Sequence, residues 1–180
     1  MLRVTKLRYG FPIGLLLFFY LDGILGAAFP RQLFSAPYAM SSYLVVLWLV
    51  LSVFFEDELQ IPLTVWAAIA GGFFDVYYTG IWGIFVFVFP IVVALTRACY
   101  KAFPINFLSG LLVYFIDITV ICTLSYFGNL VVHMTSASFA DMLVDSLAPT
   151  LAYNLAAYVI LYFPVPVSYT HLTLPTICSV

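Results

Sequence analysis

Three carboxylates stand inside long apolar stretches of this chain: Asp22, Asp75 and Asp117. A fourth polar side chain, Asn154, interrupts a later stretch. A carboxylate in hydrocarbon costs several kcal/mol unless it is paired, protonated or hydrated, so each acid is a candidate functional residue. No Lys or Arg lies within the same stretches to pair with them. Two chemistries are open to such groups. Two close carboxylates sharing a proton make an aspartyl catalytic dyad. Alternatively, Asp and Asn tie helices together by hydrogen bonds and bind nothing. A dyad needs two of the three helices to adjoin, and the motifs that flank such an enzyme are missing from the sequence.

Other catalytic chemistry has little to stand on. A zinc protease needs a pattern such as HExxH, whereas the two histidines, His133 and His171, lie far apart. Ser41, Ser42, Ser109 and Ser125 have no base spaced to activate them. Cys99, Cys122 and Cys178 are scattered and odd in number, without a CxxC pair, and read as small apolar residues rather than a disulfide framework or metal set. No catalytic residue, metal or cofactor is expected.

The elements that carry the acids are set by composition. Hydrophobic residues make up 65% of the 180 and charged residues 8%. A soluble domain of this size cannot bury that much apolar surface. The expected fold is an all-α integral membrane protein, a compact bundle of about six transmembrane helices. The apolar stretches run about Gly10–Phe29, Tyr38–Phe55, Ile61–Tyr78, Ile81–Leu95, Phe107–Phe127 and Leu147–Phe163. Each is near the ~20 residues needed to cross a bilayer as helix, and none alternates with the period of a barrel strand. The first is longer than a typical signal-peptide core, so it is expected to remain as a span. With the N-terminus inside, Arg3, Lys6, Arg8, Arg97 and Lys101 all face the cytoplasm and only Arg31 faces out. That distribution obeys the positive-inside rule. A net charge of −2 gives no reason to expect a nucleic-acid partner.

In this topology the stretches holding the three aspartates run outward. If those helices begin near Gly10, Pro62 and Pro104, each acid comes 12 or 13 residues along, about 18–20 Å from the cytoplasmic edge. Asn154 reaches a similar depth from the other side. A polar layer in the outer half of the membrane is therefore expected. Asp75 has the richest setting. Ala68, Gly71 and Gly72 precede it on one helical face and allow close helix approach, while Thr79, Gly80 and Gly83 follow in a tight turn. Residues 1–164 form a single polytopic domain. From Val165 the chain breaks pattern at Pro164 and Pro166 and reads like a translated sequencing-adapter fragment, with a disordered tail as the alternative.

Two segments carry a resemblance. One is Gly71-Gly72-Phe73-Phe74-Asp75, followed by Gly80 and Gly83; the other is Pro149-Thr150-Leu151-Ala152-Tyr153-Asn154. Together, in this order, they resemble the rod shape-determining MreD family. That family has a Gly-x-x-x-Asp segment with a Gly a few residues on, and a Pro-Thr-x-x-x-Asn segment opening its last helix. The resemblance implies a non-enzymatic component of the elongation or peripheral peptidoglycan synthesis complex in the bacterial cytoplasmic membrane. It implies an MreC-like bitopic partner and, through it, a penicillin-binding transpeptidase and a RodA-like polymerase. It places Gly71 or Gly72, Asp75, Gly83, Pro149, Thr150 and Asn154 at positions setting helix packing and a partner-facing or ligand-facing groove. Asp22 and Asp117 match no motif of the family and rest on membrane cost alone. The rival reading is the substrate-binding membrane subunit of an energy-coupling-factor vitamin transporter, similar in size and layout, with the polar layer as a small-molecule pocket.

Overall fold

The computed structural model describes residues 2–33, 35, 37–53, 61–80, 82–103 and 106–162. The acidic cluster at 56–58 and the tail from Val165 lie outside these residues. All regular structure described is helical. Helix α1 is Leu2–Ala28, α2 is Pro30–Leu33 and α3 is Leu44–Val53. Helix α4, Leu63–Phe74, continues as a wide π turn over Asp75–Thr79. Helix α5 is Phe85–Ala102 and α6 is Phe107–Val131. The short α7, Phe139–Asp141, passes through a π turn at Met142–Leu147 into α8, Ala148–Tyr162.

Among the described residues, four helical segments are long and apolar enough to cross a membrane: Gly10–Ala28, Phe85–Ala102, Phe107–Val131 and Phe139–Tyr162. The last begins eight residues before the expected Leu147. Its start is legible afterwards. Ser138 Oγ accepts from the Asp141 N–H while the Asp141 carboxylate accepts from the Ser138 N–H, a reciprocal capping box. Helix α6 starts on a similar signal, with Asn106 accepting from the Ser109 N–H at 2.8 Å.

Helix α3 is the centre of the bundle. Its sequence is apolar on every side, and every residue from Leu44 to Ser52 is buried. A helix that is hydrophobic all round belongs in an interior. It packs on α1, α4, α5 and α8, while α4 and α5 form a hairpin and α6 lies between α5 and α8. The outside is just as apolar. Trp82 is 76% exposed, Ile160 71% and Phe87 69%, a surface matched to lipid and not to water.

The α4–α5 hairpin needs specific glycines. A Cβ on Gly71 would lie 2.1 Å from the Phe85 carbonyl oxygen, whereas one on Gly72 would make ordinary contact with Val86. Gly80 and Gly83 have φ of 69° and 103°, in the region that favours glycine. Gly71→Ala should therefore destabilise the protein by about 2 kcal/mol or more through overpacking, and Gly72→Ala by less than about 0.5 kcal/mol. Thermal unfolding of the two variants in detergent checks this; equal melting would refute it.

Candidate functional site: a capped polar layer and a cavity beside it

Two of the three acids, Asp22 and Asp75, turn out to be helix caps supplied from a neighbouring helix. Helix α3 starts after an irregular segment, residues 38–43, whose last residue, Tyr43, has no short polar side chain to accept from the first N–H groups of the helix. Asp22, on α1, does so. Its Oδ1 accepts from the Leu44 N–H at 2.8 Å and its Oδ2 from the Val45 N–H at 2.9 Å. The Ser42 hydroxyl donates to the same carboxylate. A carboxylate here meets both the unpaired donors and the positive end of the helix dipole.

Asp75 repeats the device one hairpin later. Its Oδ1 accepts from the Phe85 N–H at 2.9 Å, and its Oδ2 accepts from Gly83 at 2.9 Å and Val86 at 3.2 Å. Phe85 and Val86 open α5, so the last turn of α4 caps the first turn of α5. The residue is fully buried. Gly83 contributes through its backbone: its positive φ turns the N–H toward the carboxylate.

Asn154 completes the layer. Its Oδ1 accepts from the Tyr43 N–H at 2.9 Å and the Tyr114 hydroxyl at 3.2 Å. Its Nδ2 donates to the Ser41 carbonyl at 2.7 Å and the Thr150 carbonyl at 2.8 Å. Thr150 Oγ1 accepts from the Ser41 N–H at 3.1 Å. Pro149 has a matching role. Having no N–H, it cannot donate to the carbonyl four residues back, that of Asp145. That carbonyl instead accepts from the Ala39 N–H at 2.8 Å. The Pro-Thr-x-x-x-Asn segment thus tends the backbone of the irregular segment 38–43: Pro149 leaves an acceptor open, Thr150 supplies one, and Asn154 supplies both kinds. Irregular backbone at membrane depth is tolerated where protein groups satisfy it in this way or where it lines a water-filled cavity.

Asp22, Asn154 and Thr150 meet on one short segment, and Asp75 caps the helix beside it. Asp117 does not join them. It is fully buried on α6, where its Oδ2 accepts from the Thr96 hydroxyl at 2.7 Å and its Oδ1 has no partner among the described residues. Sequence reasoning placed the acids at one depth but missed what they hold, because their partners are backbone N–H groups, which no residue type signals. The roles of Ser41, Ser42 and Tyr114 also went unread.

Beside the layer, a cavity of about 700 Å³ opens at this end of the bundle. Its wall includes Asp22, Ser42, Tyr43, Tyr78, Ser125 and Asp145. A second, apolar groove of about 620 Å³ runs between α1 and α4, lined by residues such as Phe19, Ile24, Trp66 and Phe73. Asp75 lines neither.

Comparison with known proteins gives one finding. The family described as rod shape-determining protein MreD matches residues 7–171. Among curated proteins and among solved structures, nothing matches.

Proposed function

Because the chain belongs to the rod shape-determining MreD family, and is thus a multi-pass membrane protein of cell-shape determination, we propose that it is the non-enzymatic MreD component of a bacterial wall-elongation complex. In this reading it spans the cytoplasmic membrane about six times with its N-terminus inside. Helix α3 and the α4 hairpin arm supply the two crossings beyond the four long helices. It binds an MreC-like bitopic protein and, through it, a penicillin-binding transpeptidase and a RodA-like polymerase.

The observation that carries the reading is the family match together with what the matched motif residues do. Gly71, Asp75, Gly83, Pro149, Thr150 and Asn154 are all spent on backbone contacts inside the bundle. A protein whose motif residues fix helix packing acts through the shape of its membrane faces. The motif residues are therefore positioning residues for partner binding, held one step back from the contact itself. Nothing in the comparisons favours the transporter reading.

The test is co-purification. Co-express the chain with a tagged MreC-like protein, solubilise the membranes gently, and measure recovery of the chain. Recovery near one-to-one is expected. Asp75→Asn should reduce it in proportion to lost folded protein, as read by the melting of the same sample. If the wild-type chain is absent from the eluate while well expressed and folded, the reading fails.

A further inference from the structure

Asp117 is short of hydrogen-bond donors. Asp22 and Asp75 each meet three: the Leu44 and Val45 N–H groups and the Ser42 hydroxyl for the first, and the N–H groups of Gly83, Phe85 and Val86 for the second. Three donors suit a carboxylate. Asp117 is fully buried as well, yet only the Thr96 hydroxyl reaches it among the described residues. That contact joins Oδ2 to Thr96 Oγ1 at 2.7 Å, while Oδ1 has no hydrogen-bond partner among the described residues.

The Thr96 hydroxyl has a second oxygen in reach. Its Oγ1 stands 2.9 Å from the Val92 carbonyl, one turn back along α5. A carbonyl has no hydrogen to give, so the hydrogen in that contact belongs to Thr96. A hydroxyl carries only one. With Asp117 as a carboxylate, that single hydrogen must serve two acceptors, and Oδ1 stays bare in the core as an anionic oxygen. A proton on Oδ2 removes both faults. It fills the 2.7 Å contact, a usual O–H···O length, with Asp117 donating and Thr96 accepting. Thr96 then donates to Val92, and Oδ1 becomes the carbonyl of a neutral acid, far less costly to bury than a charge. A metal ion has less to hold it, since no group of three His, Cys, Asp or Glu is gathered for one among the described residues.

We propose that Asp117 is a proton-binding site in the bundle core. The proton on Oδ2 opens a one-way hydrogen-bond chain from Asp117 to Thr96 to the Val92 carbonyl, which ties α6 to α5 without a buried charge. The titratable side chains around it are Cys99 and Tyr100 of α5, Tyr114 of α6 itself and, beyond Tyr100, Tyr158 of α8. None of these is a cation that would favour the ionised acid. Losing the proton sets an anion against a hydroxyl already committed to Val92, so the α5–α6 contact weakens when the site empties. The proposal does not depend on the partner complex.

Infrared spectroscopy of the full chain at neutral pH, in a detergent without ester groups, tests it. The carbonyl stretch of an un-ionised carboxyl is separate from the bands of carboxylates and amides. The parent should show such a band, and Asp117→Asn should lose it. Asparagine donates to Thr96 from its NH2 group in place of the O–H, so this variant keeps the chain and the fold, as read by circular dichroism. Thr96→Val removes the acceptor and should move the band to higher frequency, while Thr96→Ser keeps the hydroxyl and should return it to the parent position. Sodium chloride and choline chloride should give the same spectrum. Identical carboxyl regions in the parent and Asp117→Asn would overturn the assignment, as would a band seen only without sodium, which would mean that a cation normally occupies the site. Should Asp117→Asn not fold, the Thr96 pair decides alone: no parent band, or one that neither Thr96 variant moves, overturns it.

Discussion

Replacing Asp75 with leucine lowers the stability of the bundle by about 3–5 kcal/mol, because three N–H donors lose their acceptor at a buried helix start. The donors are those of Gly83, Phe85 and Val86, all within 3.2 Å of the carboxylate. Water cannot replace the acceptor, since the residue is fully buried and the surroundings are apolar. The adjacent Phe74, Phe85 and Phe89 rings pack on one another around the hairpin, so the loss spreads into the core. Asparagine is the sharper comparison. Its single carbonyl oxygen serves one side of the cap while its NH2 group turns donors toward donors. Asp75→Asn should cost about 1–3 kcal/mol, between the parent and leucine. Unfolding in detergent, followed by circular dichroism, reads both. The leucine variant should melt about 10 °C or more below the parent. A leucine variant melting within about 2 °C of the parent would sink the capping account.

Asn154→Leu is expected to have an effect of similar size by a different route. Leucine nearly matches the volume, so the loss is polar. Tyr43 keeps an unpaired N–H, Ser41 an unpaired carbonyl, and Tyr114 retains only its bond to the Tyr43 carbonyl. Two or three orphaned groups at about 1–3 kcal/mol each predict a loss of about 3–4 kcal/mol. The consequence should also be local. The irregular segment 38–43 is held to the last helix mainly through Asn154, Thr150 and the Asp145 carbonyl. Hydrogen exchange in Asn154→Leu should accelerate at residues 41–45 while the middle of α6 stays protected. Exchange at 41–45 indistinguishable from the parent would show that Asn154 does not hold this segment. The control is Thr150→Val, which removes a single acceptor and should cost about 1 kcal/mol.

These two side chains also mark how far the sequence could be read. The amino-acid order alone determined the class: hydropathy sums residue by residue and needs no knowledge of neighbours, so membrane helices, their rough positions and the cost of each buried acid were all legible. The family resemblance was legible too, since Gly71, Asp75, Pro149 and Asn154 stand at a recognisable spacing. The choice between Gly71 and Gly72 was not. Both lie on the face of Asp75, and only the approach of the Phe85 carbonyl makes Gly71 the one that must lack a side chain.

Tertiary structure alone decided what the acids do. Asp22 caps a helix that begins 22 residues later, and Asn154 serves a backbone 111 residues earlier. Such pairings join a side chain to an amide, and every residue but proline carries the same amide, so no pattern in the sequence marks the partner. For the same reason Asp117 looked equivalent to Asp22 and is not: one meets an open helix end, the other a lone threonine. Burial depth is a property of a segment; hydrogen-bond partnership is a property of the assembled fold.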